Sequence, residues 1–345
     1  MTREEAEKEL IAMLQEAEGG HSYSMEEVDA YMRELLHPKN QIYLTGDTHG
    51  QFERIISSCE RQQVQPESTF IILGDVGLNY YGDRRDNRGK DKLAKIPITF
   101  FCIHGNHEMR PSEELGYQVK EYHGGKVWVQ SEYPNLVFAI DGEIYDFFGH
   151  SCIVIGGAYS VDKYYRLARG YNWFEDEQPS DEIKEKVERV LSARDWKIDV
   201  VLSHTCPLRY EPTEVFLSMV DQSSVDKSTE QWLGTIESRL HYERWFCGHY
   251  HTDKEIDKIR FMFQDHALLP QASMLAEADA YMHSRIDAAF IDSLVAAIPE
   301  EWLVQASAEI APAEQRRVYA EFLKRRLENS KIFVDHAIGA RKKLV

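Results

Sequence analysis

No apolar stretch in the 345 residues approaches the roughly 20 needed to cross a bilayer as a helix, so a membrane-spanning role is not expected. The N-terminus, Met1-Thr2-Arg3-Glu4-Glu5, is acidic and helix-forming and lacks the apolar core of a signal peptide. Cysteine is sparse. The five (Cys59, Cys102, Cys152, Cys206, Cys247) are odd in number, contain no CxxC pair and mostly sit in apolar runs, which excludes a disulfide scaffold and points to a reducing cytoplasm. Basic charge is also short: 40 Lys and Arg face 58 Asp and Glu, a net charge of −18. Such a surface repels polyanions over a Debye length of about 8–10 Å, so a long nucleic acid is a poor partner. A small anion drawn to bound cations is not excluded. Internal repeats and low-complexity linkers are absent.

Against these absences, hydrophobic residues make up 43%, enough for a substantial core. Three regions emerge. Residues 1–40 are expected to form two short helices. Thr2-Arg3-Glu4-Glu5 and Ser24-Met25-Glu26-Glu27 fit the capping box, in which side chain and backbone donors satisfy each other, and Pro38 ends the second. Residues 41–270 alternate strands and helices. Ile42-Tyr43-Leu44, Phe70-Ile71-Ile72-Leu73 and Ile98 through Ile103 are continuous apolar runs, as in strands covered on both faces. Further strands are expected at 136–140, 144–148, 152–155, 200–202 and 244–247, and a helix at 180–193. Residues 271–345 lose glycine, gain alanine and turn helical, with Ile286, Phe290, Leu294 and Ile298 in register and Pro312 suited to the first turn of a last long helix. This is a helical appendage that could dock a protein partner.

The chemistry-bearing residues follow the apolar runs. Gly46-Asp47-Thr48-His49-Gly50, Gly74-Asp75, Gly105-Asn106-His107-Glu108, Ser203-His204 and Gly248-His249-Tyr250-His251 occur in that order. Asp47 and His49 are two apart, so both can turn toward one point at a strand end. Asp75 can bridge two cations through its two oxygens, Asn106 offers a carbonyl oxygen, and His204, His249 and His251 offer imidazoles. Mixed imidazole and carboxylate donors suit manganese, iron or zinc better than magnesium or calcium. Two such ions can activate water and clamp the oxygens of a phosphoryl displacement. His107 is not needed as a ligand, which frees it to protonate a leaving alkoxide or to stabilise phosphoryl oxygens. Any one of these residues alone would read as a turn former or a hydrogen-bonded core residue. Five motifs in order, each after an apolar run, do not.

This order of motifs resembles the calcineurin-like metallophosphoesterases over residues 41–270. The resemblance implies an α/β fold, a four-layer α/β/β/α sandwich with two mixed sheets, flanked here by N-terminal helices and the C-terminal helical appendage. It implies one metal held by Asp47, His49, Asp75 and His251, a second by Asp75, Asn106, His204 and His249, and His107 as general acid. The expected cofactors are two divalent ions, manganese first, with iron, zinc or nickel as alternatives. The implied function is hydrolysis of phosphate esters by a metal-activated hydroxide.

Gly46 to Gln51 and Gly105 to Arg110 are similar to the Ser/Thr phosphoprotein phosphatases, which favours a phosphomonoesterase acting on a small phosphorylated substrate or a phosphopeptide. The longer pattern, including Gly156 through Lys163 and Trp173-x-x-x-Glu177, is closer to bacterial and phage metallophosphoesterases. Alternatives are a nuclease or cyclic-nucleotide phosphodiesterase, and a non-enzymatic scaffold on the same fold. After the bridging aspartate the phosphatases carry x-x-Asp-Arg-Gly, whereas this chain reads Val76-Gly77-Leu78-Asn79-Tyr80. The missing arginine could be replaced by Arg84, Arg85, Arg88 or Arg110, binding phosphate through two N–H groups. Lys163 and Arg166 could line the cleft, and Tyr80, Tyr81, Tyr164, Tyr165 and Tyr171 could wall it. Cys206 and Cys247, beside ligand positions, are expected to be buried packing.

Overall fold

The computed structural model describes residues 41–61, 64–216, 218, 220–269, 279, 283, 286–300, 303, 310–332 and 334. The expected N-terminal helices lie outside the described residues. Contacts divide the chain into one unit comprising 1–146 and 151–269 and a second comprising 147–150 and 270–345.

The larger unit is built on two mixed sheets. In the first, β1 (Ile42–Thr45), β2 (Thr69–Ile72), β3 (Thr99–Cys102) and β6 (Leu136–Ala139) run parallel. The hairpin β4 (Gln118–Tyr122) and β5 (Gly125–Val129) extends one edge, and β13 (Ala267–Leu268) closes the other antiparallel to β1. In the second, β8 (His150–Ile155), β9 (Val200–Ser203), β10 (Arg244–Cys247) and β12 (Ile259–Phe261) run parallel. β7 (Ile144–Phe147) and β11 (Lys254–Ile256) lie at its edges. The hairpin β4–β5 escapes sequence reading because β4 is exposed and mostly polar, with no alternation to betray it.

The apolar runs are buried on both faces, as continuous hydrophobicity requires. On one side of the first sheet, Phe70, Ile72, Phe100 and Cys102 pack with Ile55 and Cys59 of α1 (Glu53–Arg61) and Leu93 of α2 (Asn87–Leu93). Alternation sends Phe101 the other way, where its ring meets Tyr145 of the second sheet edge-on at 4.8 Å between centroids. The far side of the second sheet, with Ile153, Val201 and Trp245, is covered by Val187 and Leu191 of α4 (Asp181–Ser192) and Leu233 and Ile236 of α5 (Ser228–Glu237). The remaining helix of this unit, α3 (Lys163–Arg169), has no buried residue. Helices outside two facing sheets give the layered sandwich.

In the smaller unit, α6 (Ala288–Ala296) packs against α7 (Pro312–Glu328), which begins on Pro312. The buried residues of α6 are Ile291 and Val295, while Phe290 and Leu294 are exposed, so the covered face is rotated from the one that the periodicity marks. Gln315 is buried and donates to the carbonyls of Leu303 and Ile310. Among the described residues, no helix is long and apolar enough to cross a membrane.

Candidate metal centre

Because β1, β2 and β3 run parallel to one another, as do β9 and β10, the residues just past their ends gather at one rim, where an open α/β sheet binds ligands. Asp47, Asp75, Asn106, His204 and His249 each leave one of these strands within four residues of its end. The approach is close enough to need glycine. A Cβ on Gly74 would lie 2.1 Å from Nδ1 of His204, and one on Gly105 would lie 2.1 Å from Oδ1 of Asp75. His49, Asp75, His249 and His251 all have positive φ, four of the nine such non-glycine residues among those described. Backbone strain is concentrated where the side chains converge.

Asp75 faces both halves of the cluster. Its Oδ2 lies 3.9 Å from Nε2 of His49, and its Oδ1 lies 3.7 Å from Nε2 of His204. His251 sits 3.1 Å from Oδ2 of Asp47, and His49 and His251 bring their Nε2 atoms to 3.0 Å. The donor atoms of Asp47, His49 and His251 lie within 4.8 Å of one another, as do those of Asp47, Asp75 and His204. His249 is seated by its backbone N–H, which donates to Oδ1 of Asp47 at 2.9 Å, and its ring lies 5.1 Å from that of His204.

Orientation is fixed one layer out. Nδ1 of His204 is 2.8 Å from the carbonyl of Leu73, which can only accept, so Nδ1 carries a proton and Nε2 is turned toward the cluster. That Nε2 is 2.8 Å from Oδ1 of Asn106. The amide orientation follows from Ser160, whose hydroxyl bonds to the Glu177 carboxylate and therefore accepts from Nδ2 of Asn106 at 2.9 Å. Glu177 in turn accepts from the indole of Trp173 at 2.8 Å. Nε2 of His204 and Oδ1 of Asn106 are thus turned toward one point, as is the buried Oδ2 of Asp47, whose near polar neighbour is Nε2 of His251 at 3.1 Å. Divalent cations would sit between these donors, and the donor set fits them.

The charges agree. Burial opposes ionisation of Asp75, but His204, His107 and His49 together hold its carboxyl below the usual range. Asp47 behaves alike: burial is outweighed by the interaction with His251 and by the proximity of His204. Burial pushes His249 down to about 3, leaving it neutral with a lone pair to offer. Glu108, fully buried, accepts from the N–H groups of Val76, Gly77 and Gly105 and so ties the loop of Asp75 to that of Asn106. Burial and the neighbouring Asp75 raise it to about 7.

His107 stands beside this cluster. Its backbone N–H donates to Oδ1 of Asp75 at 2.8 Å, and its Nε2 lies 4.0 Å from both Asp75 and Asp162. Burial lowers its basicity first; Asp75 and Asp162 work the other way, and Arg166 works with burial. Asp162 accepts from Nε of Arg166 at 2.8 Å, while its other oxygen is buried and makes no hydrogen bond among the described residues. A carboxylate and a guanidinium therefore stand beside His107 although the segment after Asp75 lacks both.

A calcineurin-like phosphoesterase family model matches residues 41–253, well over half of the chain. The chain belongs to the calcineurin-like phosphoesterase family. It is a metal-dependent phosphoester hydrolase, and two cations are the family's usual complement. Among solved structures, TT1561 of Thermus thermophilus is 9% identical, covering 67% of this chain and 98% of its own, with a TM-score of 0.38. Phosphopantetheinyl hydrolase from Mycobacterium tuberculosis is 17% identical, covering 65% and 88%, with a TM-score of 0.33. Protein AQ665 from Aquifex aeolicus is 16% identical, covering 50% and 82%, with a TM-score of 0.26.

The peripheral residues sort by position. Arg85, Arg88 and Arg166, with Tyr80 and Tyr81, line a cleft that begins at His49 and His107. Arg84 is exposed and lines none of the cavities that border the metal cluster. Arg110 is committed elsewhere, to the carboxylate of Asp141 and the carbonyl of Asp176. Lys163 lies over the ring of Trp173 at 4.0 Å, and Tyr164, Tyr165 and Tyr171 are exposed on or near α3. Cys206 and Cys247 are buried thiols, and burial raises the pKa of each. Ser160, Asp162, Glu177 and Glu108 are the site residues that sequence reasoning missed. The Trp173 to Glu177 spacing and the Glu that closes Gly105-Asn106-His107-Glu108 are their visible traces.

Proposed function

We propose that this chain hydrolyses phosphate esters at the cluster of Asp47, His49, Asp75, Asn106, His204, His249 and His251, with His107 as the acid for the leaving oxygen. The observation that carries this reading is the convergence of donor atoms from five loops, with Nε2 of His204 2.8 Å from Oδ1 of Asn106 and Nε2 of His251 3.1 Å from the buried Oδ2 of Asp47. Two divalent cations, manganese first, would supply Lewis acidity and water with a pKa near about 7. The chain supplies the rest. Asp75 spans both halves of the cluster, and Ser160 and Leu73 fix the amide of Asn106 and the tautomer of His204. His107 would deliver a proton from Nε2 to a leaving oxygen at the cluster, with the carboxylates of Asp75 and Asp162 each 4.0 Å from that atom.

The test is release of p-nitrophenolate from p-nitrophenyl phosphate and from bis-p-nitrophenyl phosphate by manganese-loaded protein of measured metal content. No turnover of either by protein holding two equivalents of metal overturns the reading. The preference for monoesters rests on motif similarity alone. One observation favours the diester alternative: two separate cavities meet at His107. The net charge of −18 disfavours long nucleic acids among the diesters.

A further inference from the structure

The two cavities that border the metal cluster differ in sign. One, of about 370 Å³, passes Asn106, His107 and His249 beneath Val161, Val215, Phe216 and Val225. Its charged lining is acidic: Asp162 near the cluster and Glu211, Asp226 and Glu230 farther along. The other, of about 710 Å³, starts at His49 and His107 and is lined by Arg85, Arg88, Lys92 and Arg166. His107 borders both.

In a chain of net charge −18, four cationic side chains and one acid line this cleft; acids beside it pair three of the four, and Arg88 is left unpaired among the described residues. The one acid, Asp86, is buried and spends its carboxylate on the backbone N–H groups of Tyr81 and Gly82. Arg85 is held over the Tyr81 ring at 4.1 Å and paired with Asp83, and Lys92 is paired with Glu53. Arg166 is paired with Asp162. Arg88 is exposed and makes no hydrogen bond or ion pair among the described residues. The cleft therefore offers an anion the unpaired guanidinium of Arg88 among three paired cations, while the neighbouring cavity has, among the described residues, no lining cation apart from its imidazoles and offers apolar surface.

A phosphate monoester carries one organic arm on phosphorus, and it would leave one of these cavities unused. A diester or a diphosphate carries two. Resting on the phosphoester reading above, we propose that the substrates are two-armed: phosphodiesters or diphosphates whose scissile phosphorus joins an apolar group to a group bearing a further phosphate. The apolar arm lies in the valine-lined cavity, and the phosphorylated arm lies in the cleft of Arg85, Arg88, Lys92 and Arg166. Hydrolysis adds water across one P–O bond. An oxygen from water bonds to phosphorus, the bond to the apolar arm's oxygen breaks, and that oxygen takes a proton from His107, which water's own proton restores.

The test compares two diesters that differ by one phosphate: thymidine 5′-(p-nitrophenyl phosphate) and the same compound with a 3′-phosphate. On manganese-loaded protein at low salt, the 3′-phosphorylated ester is expected to have a KM at least tenfold lower. That advantage should shrink to within twofold at 0.5 M NaCl, where the Debye length falls to a few ångströms, and in the Arg85→Gln/Arg88→Gln double variant. Equal KM values in the wild type overturn the proposal, as does a larger kcat/KM for p-nitrophenyl phosphate than for either diester. Calorimetric titration with thymidine 3′,5′-bisphosphate gives a readout free of turnover: the double variant should bind at least tenfold more weakly, and unchanged affinity sinks the cleft assignment. If neither ester is hydrolysed while the bisphosphate binds in an Arg85- and Arg88-dependent manner, the hydrolytic reading fails and the anion cleft stands.

Discussion

The carboxylate of Asp47 occupies the space that a side chain at residue 248 would need: a Cβ on Gly248 would lie 2.3 Å from its Oδ1. The glycine before His249 is therefore a seat for the Asp47 carboxylate, which comes from the other sheet. Gly248→Ala should displace Asp47 and abolish tight metal binding, read by metal analysis after gel filtration. Gly234→Ala is the contrasting change. Gly234 lies inside α5, and the nearest atom to its added Cβ is 4.0 Å away. That variant should keep its metal and gain about 0.5–1 kcal/mol of stability in a denaturant titration.

Asp75 presents one oxygen to each half of the cluster, so its loss cannot be absorbed by one half alone. Asp75→Asn should lower the metal content from two ions to fewer than one per chain and abolish turnover of p-nitrophenyl esters. Full metal occupancy in this variant would contradict the bridging position.

His107 touches the cluster through its backbone and faces it with its ring, a geometry suited to proton transfer rather than ligation. Replacing it with alanine should leave both ions in place and lower kcat by about 10²- to 10⁴-fold. Loss of metal from His107→Ala would move this residue into the ligand set.

Ser160 acts through Asn106. Removing its hydroxyl frees the amide to rotate its nitrogen toward the cations, so Ser160→Ala should weaken metal affinity by about 10- to 100-fold with little change in melting temperature. A chelator competition at fixed pH measures the affinity, and wild-type affinity would show that the amide is held by something else.

Glu230 gives a pH dependence away from the metal. Burial raises its carboxyl to about 7, against the opposing hydrogen bond from the Thr205 hydroxyl at 2.7 Å. The unfolded chain ionises this group near the usual 4.5, so between about 4.5 and 7 the folded state holds the extra proton. The stabilisation from that proton is full below about 4.5 and is lost as the pH rises through 7. Glu230→Gln keeps an acceptor for Thr205 and should be more stable than wild type at pH 8, by up to about 3 kcal/mol, with the gain shrinking at pH 5. Denaturant midpoints at the two pH values check it, and a gain that does not depend on pH would refute the assignment.

The order of donors, the continuous apolar strands and the family could be read from the chain alone, because each follows from local pattern. A strand buried on both faces must be apolar throughout, and a close backbone approach demands glycine in that register. The proposed ligands travel with these signals, as at Gly46-Asp47 and Gly105-Asn106. The exposed strand β4 carries no such pattern, and the covered face of α6 depends on what packs against it.

What only the tertiary structure decided is the set of relations between residues far apart in the chain. The carboxylate and guanidinium beside His107 come from Asp162 and Arg166, not from the segment after Asp75 where the phosphatase pattern places them. Arg110, within the motif most like that pattern, is drawn away by Asp141. Charge and hydrogen-bonding capacity are properties of a side chain, but which neighbour uses them is set by the packing of two sheets. No spacing along one strand could have revealed that Asn106 takes its orientation from Ser160, or that two clefts of different lining would share His107.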